Sequence, residues 1–393
     1  MIGDRVEIGD RVGIGDRITI DDLRVSCIVG IHPWERRSPQ EVRITLSMAV
    51  DLAPAASSGR LADTIDYAEL AAAAEAEALR GRYRLLESLA EALAGLCLQR
   101  PGVREARVCV RKPAAIPAAR AAVVEVVRRR PRPEPRLLGV LNLSPESRVT
   151  PSVAADEASI GERARHLRQT GCEVIELGAR STNPAPGAER LSEAEEIDRL
   201  KPVLRSLASD GYRVGVETWS ADTAMWALDA GAEMIDYTSQ EIPDEVCRRA
   251  GESGAALVLV NLPYGDPERM RRTAPVNHCA EHIAASLSAR ADAARAAGAG
   301  DVYVDPNTGI VHPELDDYRK IELQMKAIEA ARRLEEAGYP VLINCPRKES
   351  LTSRIILSHL LLAIRPAWIR THDPEIIATL RALRSSGDPV KRR

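Results

Sequence analysis

Apolar and polar residues alternate over residues 17–30 (RITIDDLRVSCIVG) and 41–52 (EVRITLSMAVDL), the period of half-buried strands. The next two segments, 67–81 (YAELAAAAEAEALRG) and 85–100 (LLESLAEALAGLCLQR), repeat apolar residues at helical spacing. Alternation then returns over 105–113 and 121–130. The order ββααββ predicts a four-stranded antiparallel sheet with two helices on one face, an α+β unit. Such a sheet leaves edges and an open face, which small proteins of this design usually cover by oligomerising.

The pattern breaks at residues 128–136 (RRRPRPEPR), poor in apolar residues and extended by its prolines. Beyond it, β-type apolar runs recur at 137–143, 173–179, 212–218, 232–238, 255–261, 301–307, 340–346 and 367–373, with helical periodicity between them and several helices ending in Gly. Eight βα units over this length predict a (β/α)8 barrel. The expected organisation is a repeat-containing tail over 1–16 (three copies of IGDR), an α+β domain over 17–130, a Pro/Arg linker over 131–136, and an α/β barrel over 137–393. Barrels of this kind carry their chemistry at the C-terminal ends of the strands. Those ends hold Asn142, Glu176, Glu217, Asp236, Asn261, Asp305, Arg347 with Lys348, and Arg370 with His372. Eight polar ends converging on one rim predict a site.

Composition narrows the partners. The net charge of -3 carries no basic surplus of the kind nucleic-acid binders show, despite the local Arg density near the linker. No apolar run reaches bilayer length, and the charged N-terminal stretch lacks a signal peptide's apolar centre, so membrane insertion and export are not expected. Seven scattered cysteines without a C-x-x-C pair suit a reducing, cytoplasmic setting. Phe is absent from the whole chain, which leaves the core to Leu, Ile, Val and Ala.

Five segments of the second half, GVLNLSPES, ELGARSTNPAPG, VDPNTG, PRKES and RTHD, fall in that order at strand ends and together resemble dihydropteroate synthase. The resemblance implies a TIM barrel joining 6-hydroxymethyl-dihydropterin diphosphate to p-aminobenzoate or a related arylamine, with diphosphate released on Mg2+. It implies that Asn142 contacts the metal, that Asp305, Asp236 and Glu217 accept hydrogen bonds from the pterin edge, and that Lys348 donates to the ring. Arg370 and His372 would hold the diphosphate at the rim, with Ser181, Thr182 and Arg347 lining the substrate. The loops depart from the family pattern: Glu146 and Arg148 replace Asp and Phe, Asn183 replaces Arg, Glu217 replaces Asp, and Asn307 and Ile310 stand where Gly and Phe are common. Two other readings of the barrel stay open, a pterin-dependent, corrinoid-type methyltransferase and a non-catalytic pterin-binding scaffold.

In the first half, GIHPWERRSPQEV, DTIDYAEL, LLESLAE and VRKPAAIP resemble dihydroneopterin aldolase over 18–129. That family has the tunnelling fold, assembles as tetramers or octamers with the site between subunits, needs no cofactor, and removes glycolaldehyde from 7,8-dihydroneopterin by retro-aldol cleavage. The match makes Glu87 the anchor for the pterin edge, Lys112 the catalytic base, Tyr67 the group returning the proton to carbon, and Glu35 the partner that positions Lys112. Together the halves read as a bifunctional folate-synthesis enzyme and a homo-oligomer.

Overall fold

The computed structural model of the chain describes residues 16–50, 52–113, 115–130, 133–145, 152–154, 156–182, 191–346, 348 and 350–386. The tail repeats, part of the linker, most of the first two barrel loops (Glu146, Ser147, Arg148 and Asn183 among them) and Arg347 lie outside the described residues. The chain divides into two compact units, 1–132 and 133–393.

The first unit holds β1 (Arg17–Cys27), β2 (Gln40–Ala49), α1 (Ala53–Ser58), α2 (Tyr67–Gly81), α3 (Leu86–Leu98), β3 (Glu105–Lys112) and β4 (Ala122–Arg129). The strands pair antiparallel in the order β1-β2-β3-β4. The short α1, which ends at the left-handed Gly59, is an addition to the ββααββ pattern, too brief to show a helical period. Val42, Ile44, Leu46 and Met48 of β2 alternate inward against Leu70, Ala74 and Ala78 of α2 and Leu89, Leu93 and Cys97 of α3. β3 follows the same phase through Ala106, Val108 and Val110, and its next inward position is Lys112. Strand alternation alone therefore carries the Lys112 ammonium into the interior.

The second unit runs β5 (Arg136–Asn142), α4 (Glu157–Gln169), β6 (Cys172–Gly178), α5 (Glu193–Ser209), β7 (Val214–Thr218), α6 (Ala221–Asp229), β8 (Met234–Tyr237), α7 (Asp244–Ser253), β9 (Ala256–Val260), α8 (Pro267–Met270), α9 (Ala280–Ala296), β10 (Val302–Asp305), α10 (Asp317–Ala337), β11 (Leu342–Asn344), α11 (Leu351–Ile364), β12 (Trp368–Thr371) and α12 (Pro374–Ser386). The parallel sheet has the order β10-β9-β8-β7-β6-β5-β12-β11, and a bridge between Val304 and Val341 brings its ends together as a near-closed barrel. Side-chain oxygens of Asp156, Ser192, Ser220, Asp316 and Ser350 cap the starts of α4, α5, α6, α10 and α11, satisfying amides that the first turn leaves unpaired. The four-residue α8 interrupts the loop before α9, where Asp266 and Pro267 make a short capped turn.

Alternation sorts the strand residues into two sets. Ile175, Val216, Ile235, Leu259, Val304 and Ile343 face the helices. Leu138, Val174, Met234, Val258, Leu342 and Trp368 meet one another in a separate cluster that fills the lumen. Two residues further along four of these six strands the lumen turns polar: Val174 leads to Glu176, Met234 to Asp236, Leu342 to Asn344 and Trp368 to Arg370. A hydrophobic plug thus floors a polar layer.

Candidate active sites

In the first unit the loop after β1 returns Glu35 onto Lys112. Gly30 makes this possible: its φ is +136°, and a Cβ there would lie 2.2 Å from the Glu35 carboxyl carbon. Lys112 and Glu35 form a buried ion pair, 4% and 6% exposed. Lys112 Nζ also donates to the Val29 carbonyl at 2.9 Å, and Glu35 Oε2 accepts the His32 amide at 2.8 Å. Burial pushes the Glu35 carboxyl upward, but the Lys112 and His32 contacts outweigh it and hold the group below its ordinary value. Trp34, exposed and stacked on His32, lies 6.0 Å from Lys112 Nζ, an aromatic neighbour with no predicted role.

Tyr67 and Glu87 stand in the first turns of α2 and α3, both exposed, and among the described residues neither forms a hydrogen bond or ion pair with Lys112 or Glu35. The subunit thus brings together two of its four predicted groups.

In the second unit the polar layer is a charge cluster. Arg370 Nε donates to Glu176 Oε2 in a short contact, Arg370 Nη2 donates to Glu217 Oε2 at 2.7 Å, and Asp236 Oδ2 lies 3.6 Å from Nε. All four residues are buried, as is Asp305, whose carboxylate accepts the Asn307 amide at 2.7 Å. Burial pushes the Asp236 and Asp305 carboxyls up to about 7 and also raises Glu176, with Arg370 partly offsetting the effect in each case. Burial disfavours the charge on Arg370, but the carboxylates around it hold the guanidinium protonated.

The expected rim position of Arg370 needs correction. Its guanidinium points into the lumen, because Arg370 shares the phase of Trp368 and three carboxylates attract it there. Glu176, a strand-end residue without a predicted role, is its tightest partner. The signal was present in the sequence as an acid two residues after an inward Val, but only if the strand's phase is known.

The remaining predicted groups that are described lie at the C-terminal strand ends or in the loops that follow them. Asn142 ends β5, and a Cβ on Gly178 would stand 3.2 Å from its amide oxygen, so glycine leaves that oxygen room. His372 Nδ1 shares a hydrogen bond with Ser152 Oγ at 3.0 Å, and Arg163 donates to the His372 carbonyl at 2.7 Å. Lys348 is half-buried, and burial lowers its pKa. Ser181 and Thr182 follow β6, half-buried, with the Thr182 carbonyl accepting from Arg271. Asn307 holds a left-handed conformation, φ 67°, which suits Asn as it would Gly.

A single amide oxygen with room beside it fits a hard cation such as Mg2+, which prefers oxygen donors and takes few of them from protein. Among the described residues no group of three or more His, Cys, Asp or Glu could hold a metal, and Asn142 would need further oxygens from water or a ligand to complete such a site.

The family described as pterin binding enzyme matches residues 138–367, more than half of the chain. The chain belongs to this pterin-binding enzyme family. Residues 18–127 match the dihydroneopterin aldolase family. A dihydropteroate synthase of Mycobacterium leprae is 27% identical over 249 residues, 63% of this chain and 84% of that protein. The mitochondrial folate synthesis bifunctional protein of Arabidopsis thaliana is 28% identical over 230 residues, 55% of this chain but only 40% of its own length. The crystal structure of dihydropteroate synthase from Thermus thermophilus in complex with 4-aminobenzoate superposes with a TM-score of 0.53 at 26% identity, covering 65% of this chain and 95% of that one. The pairing expected from the sequence is borne out: a bifunctional folate-synthesis protein, with a dihydroneopterin aldolase domain of the lyase kind ahead of a pterin-binding barrel of the dihydropteroate synthase, transferase kind.

Proposed function

We propose that the barrel joins 6-hydroxymethyl-dihydropterin diphosphate to p-aminobenzoate or a related arylamine. The bond between the pterin methylene carbon and the diphosphate oxygen breaks, the carbon–nitrogen bond forms, and the arylamine nitrogen loses one proton. The observation that carries this reading is the acceptor-rich layer of the lumen: Glu217 and Asp236 are buried side by side at the ends of β7 and β8, with Asp305 buried at the end of β10, oxygens suited to the 2-amino and N3–H donors of a pterin. Their excess negative charge also favours the positive charge that develops on the pterin as diphosphate departs. Lys348 donates to the ring, and His372, held by Ser152, serves the diphosphate end with Arg347 and the Ser181–Thr182 segment. Mg2+, when bound beside Asn142, neutralises charge on the leaving diphosphate.

The first unit, in the same proposal, cleaves 7,8-dihydroneopterin to 6-hydroxymethyl-dihydropterin and glycolaldehyde. Lys112 serves as the base for the side-chain hydroxyl, directly or through water, and Glu35 fixes it in place. Tyr67 and Glu87, exposed on helix starts, would complete the site from a neighbouring copy, which makes the protein a tetramer or octamer through its aldolase domain. Free sulfur at all seven cysteines suits a reducing, cytoplasmic setting, and among the described residues no helix is long and apolar enough to cross a membrane.

Turnover by the purified full chain is the test. Dihydropteroate and diphosphate formed from the pterin diphosphate, Mg2+ and p-aminobenzoate support the barrel's role, and glycolaldehyde released from dihydroneopterin supports the aldolase. Pterin binding without either product would make the barrel a scaffold.

A further inference from the structure

Arg370 faces three carboxylates with only part of its guanidinium. Its Nε carries one hydrogen, and Glu176 Oε2 takes it. Asp236 Oδ2 lies 3.6 Å from the same nitrogen, close enough for attraction but too far for a hydrogen bond. Among the described residues no N–H or hydroxyl group donates to the buried Asp236 Oδ1 or Glu176 Oε1, and the two carboxyls lie close enough to share a proton, an interaction that partly offsets the effect of burial on Asp236. A buried carboxylate oxygen without a donor is costly, so each is matched by a group that the protein does not itself supply, a ligand donor or a proton. Were Glu176 not holding Nε, the guanidinium would settle on Asp236, its next carboxylate, and close the acceptor that faces the lumen.

We infer that Glu176 is a positioning residue of the barrel: by taking the Nε hydrogen of Arg370 it keeps Asp236 open to the amino and N3–H edge of a pterin. The inference rests on the pterin reading of the barrel proposed above. Glu176 touches no substrate in this scheme. It acts through Arg370, which is also the counter-ion of Glu217 in the lumen.

The test uses the full chain and unphosphorylated 6-hydroxymethyl-dihydropterin, followed by calorimetry, with steady-state kinetics on the diphosphate ester beside it. Glu176→Gln removes the charge that holds Nε. Binding is expected to weaken about tenfold, and KM for the pterin substrate to rise in proportion, while kcat and KM for the arylamine stay within about twofold. Glu176→Asp, which keeps the charge but withdraws it from Nε, should lose affinity in the same direction and serves if the glutamine variant does not fold. In an Asp236→Ala background Glu176→Gln should add little further loss, because the acceptor it protects is already gone. Unchanged pterin affinity in both Glu176 variants, a fall in kcat alone, or fully additive losses with Asp236→Ala would overturn the inference. Wild-type protein that binds no pterin would instead overturn the pterin reading itself.

Discussion

Each unit buries a cation, and the two do so in opposite ways. In the aldolase domain one ammonium meets one carboxylate, the second carboxylate oxygen takes a backbone amide, and a carbonyl takes another ammonium hydrogen. In the barrel one guanidinium faces Glu176, Glu217 and Asp236, with Asp305 nearby and, among the described residues, two buried acceptor oxygens that no N–H or hydroxyl group reaches. A balanced pair is complete in the free protein and fixes geometry for chemistry. An unbalanced cluster is completed only by protons or by a ligand rich in donors, which makes it a recognition site.

The sharpest way to break the comparison is to remove the balanced cation. Lys112→Ala should lower glycolaldehyde release by about 10² to 10⁴-fold, the usual span for a lost general base, and leave dihydropteroate formation by the same chain unchanged. Loss of both activities would show that the pair serves folding rather than chemistry. Next in size, Glu35→Ala leaves a buried ammonium without its partner and should destabilise the first unit by roughly 3–5 kcal/mol in denaturant titration.

The units should also answer pH with opposite signs. Glu35 sits below its ordinary value of 4.5 in the folded state, so its contribution is present above that value and lost as the pH falls below it. Asp236 and Asp305 sit near 7, above their ordinary 3.8, so the folded barrel holds protons that the unfolded chain releases. Their contribution is full below about pH 4 and is lost as the pH rises toward 7. Thermal melts across that window should show the barrel losing stability with rising pH, and Asp305→Asn should flatten the trend. The smallest effect concerns neither site: Ser220→Ala, which removes the cap of α6, should cost about 1 kcal/mol and alter no activity.

Much of this was legible in the sequence. Alternation marked the four strands of the first unit, and apolar runs between helical segments marked the eight of the barrel, because half-buried strands, fully buried strands and amphipathic helices write different patterns. The family motifs name both Lys112 and Glu35, which the fold brings into one buried ion pair. Arg370 was misplaced because a strand-end residue reads as a rim residue unless the strand's phase is known, and the four-residue β12 offers too few positions to set it. Trp368, two residues earlier and packed in the lumen, supplies that phase only once the fold is in hand. Glu176 went without a role for the same reason. The short α1 and α8 were invisible because neither completes two helical turns.

The most direct test of the unbalanced cluster is the affinity of the full chain for unphosphorylated 6-hydroxymethyl-dihydropterin between about pH 6 and 8, a range that spans the raised carboxyls. If Asp236 and Asp305 receive the pterin as ionised acceptors, binding should tighten as the pH rises through about 7 and the pH dependence should shrink in Asp236→Asn. An affinity that is flat across this range, or that strengthens on acidification, would contradict a barrel floor built to accept donors from its ligand.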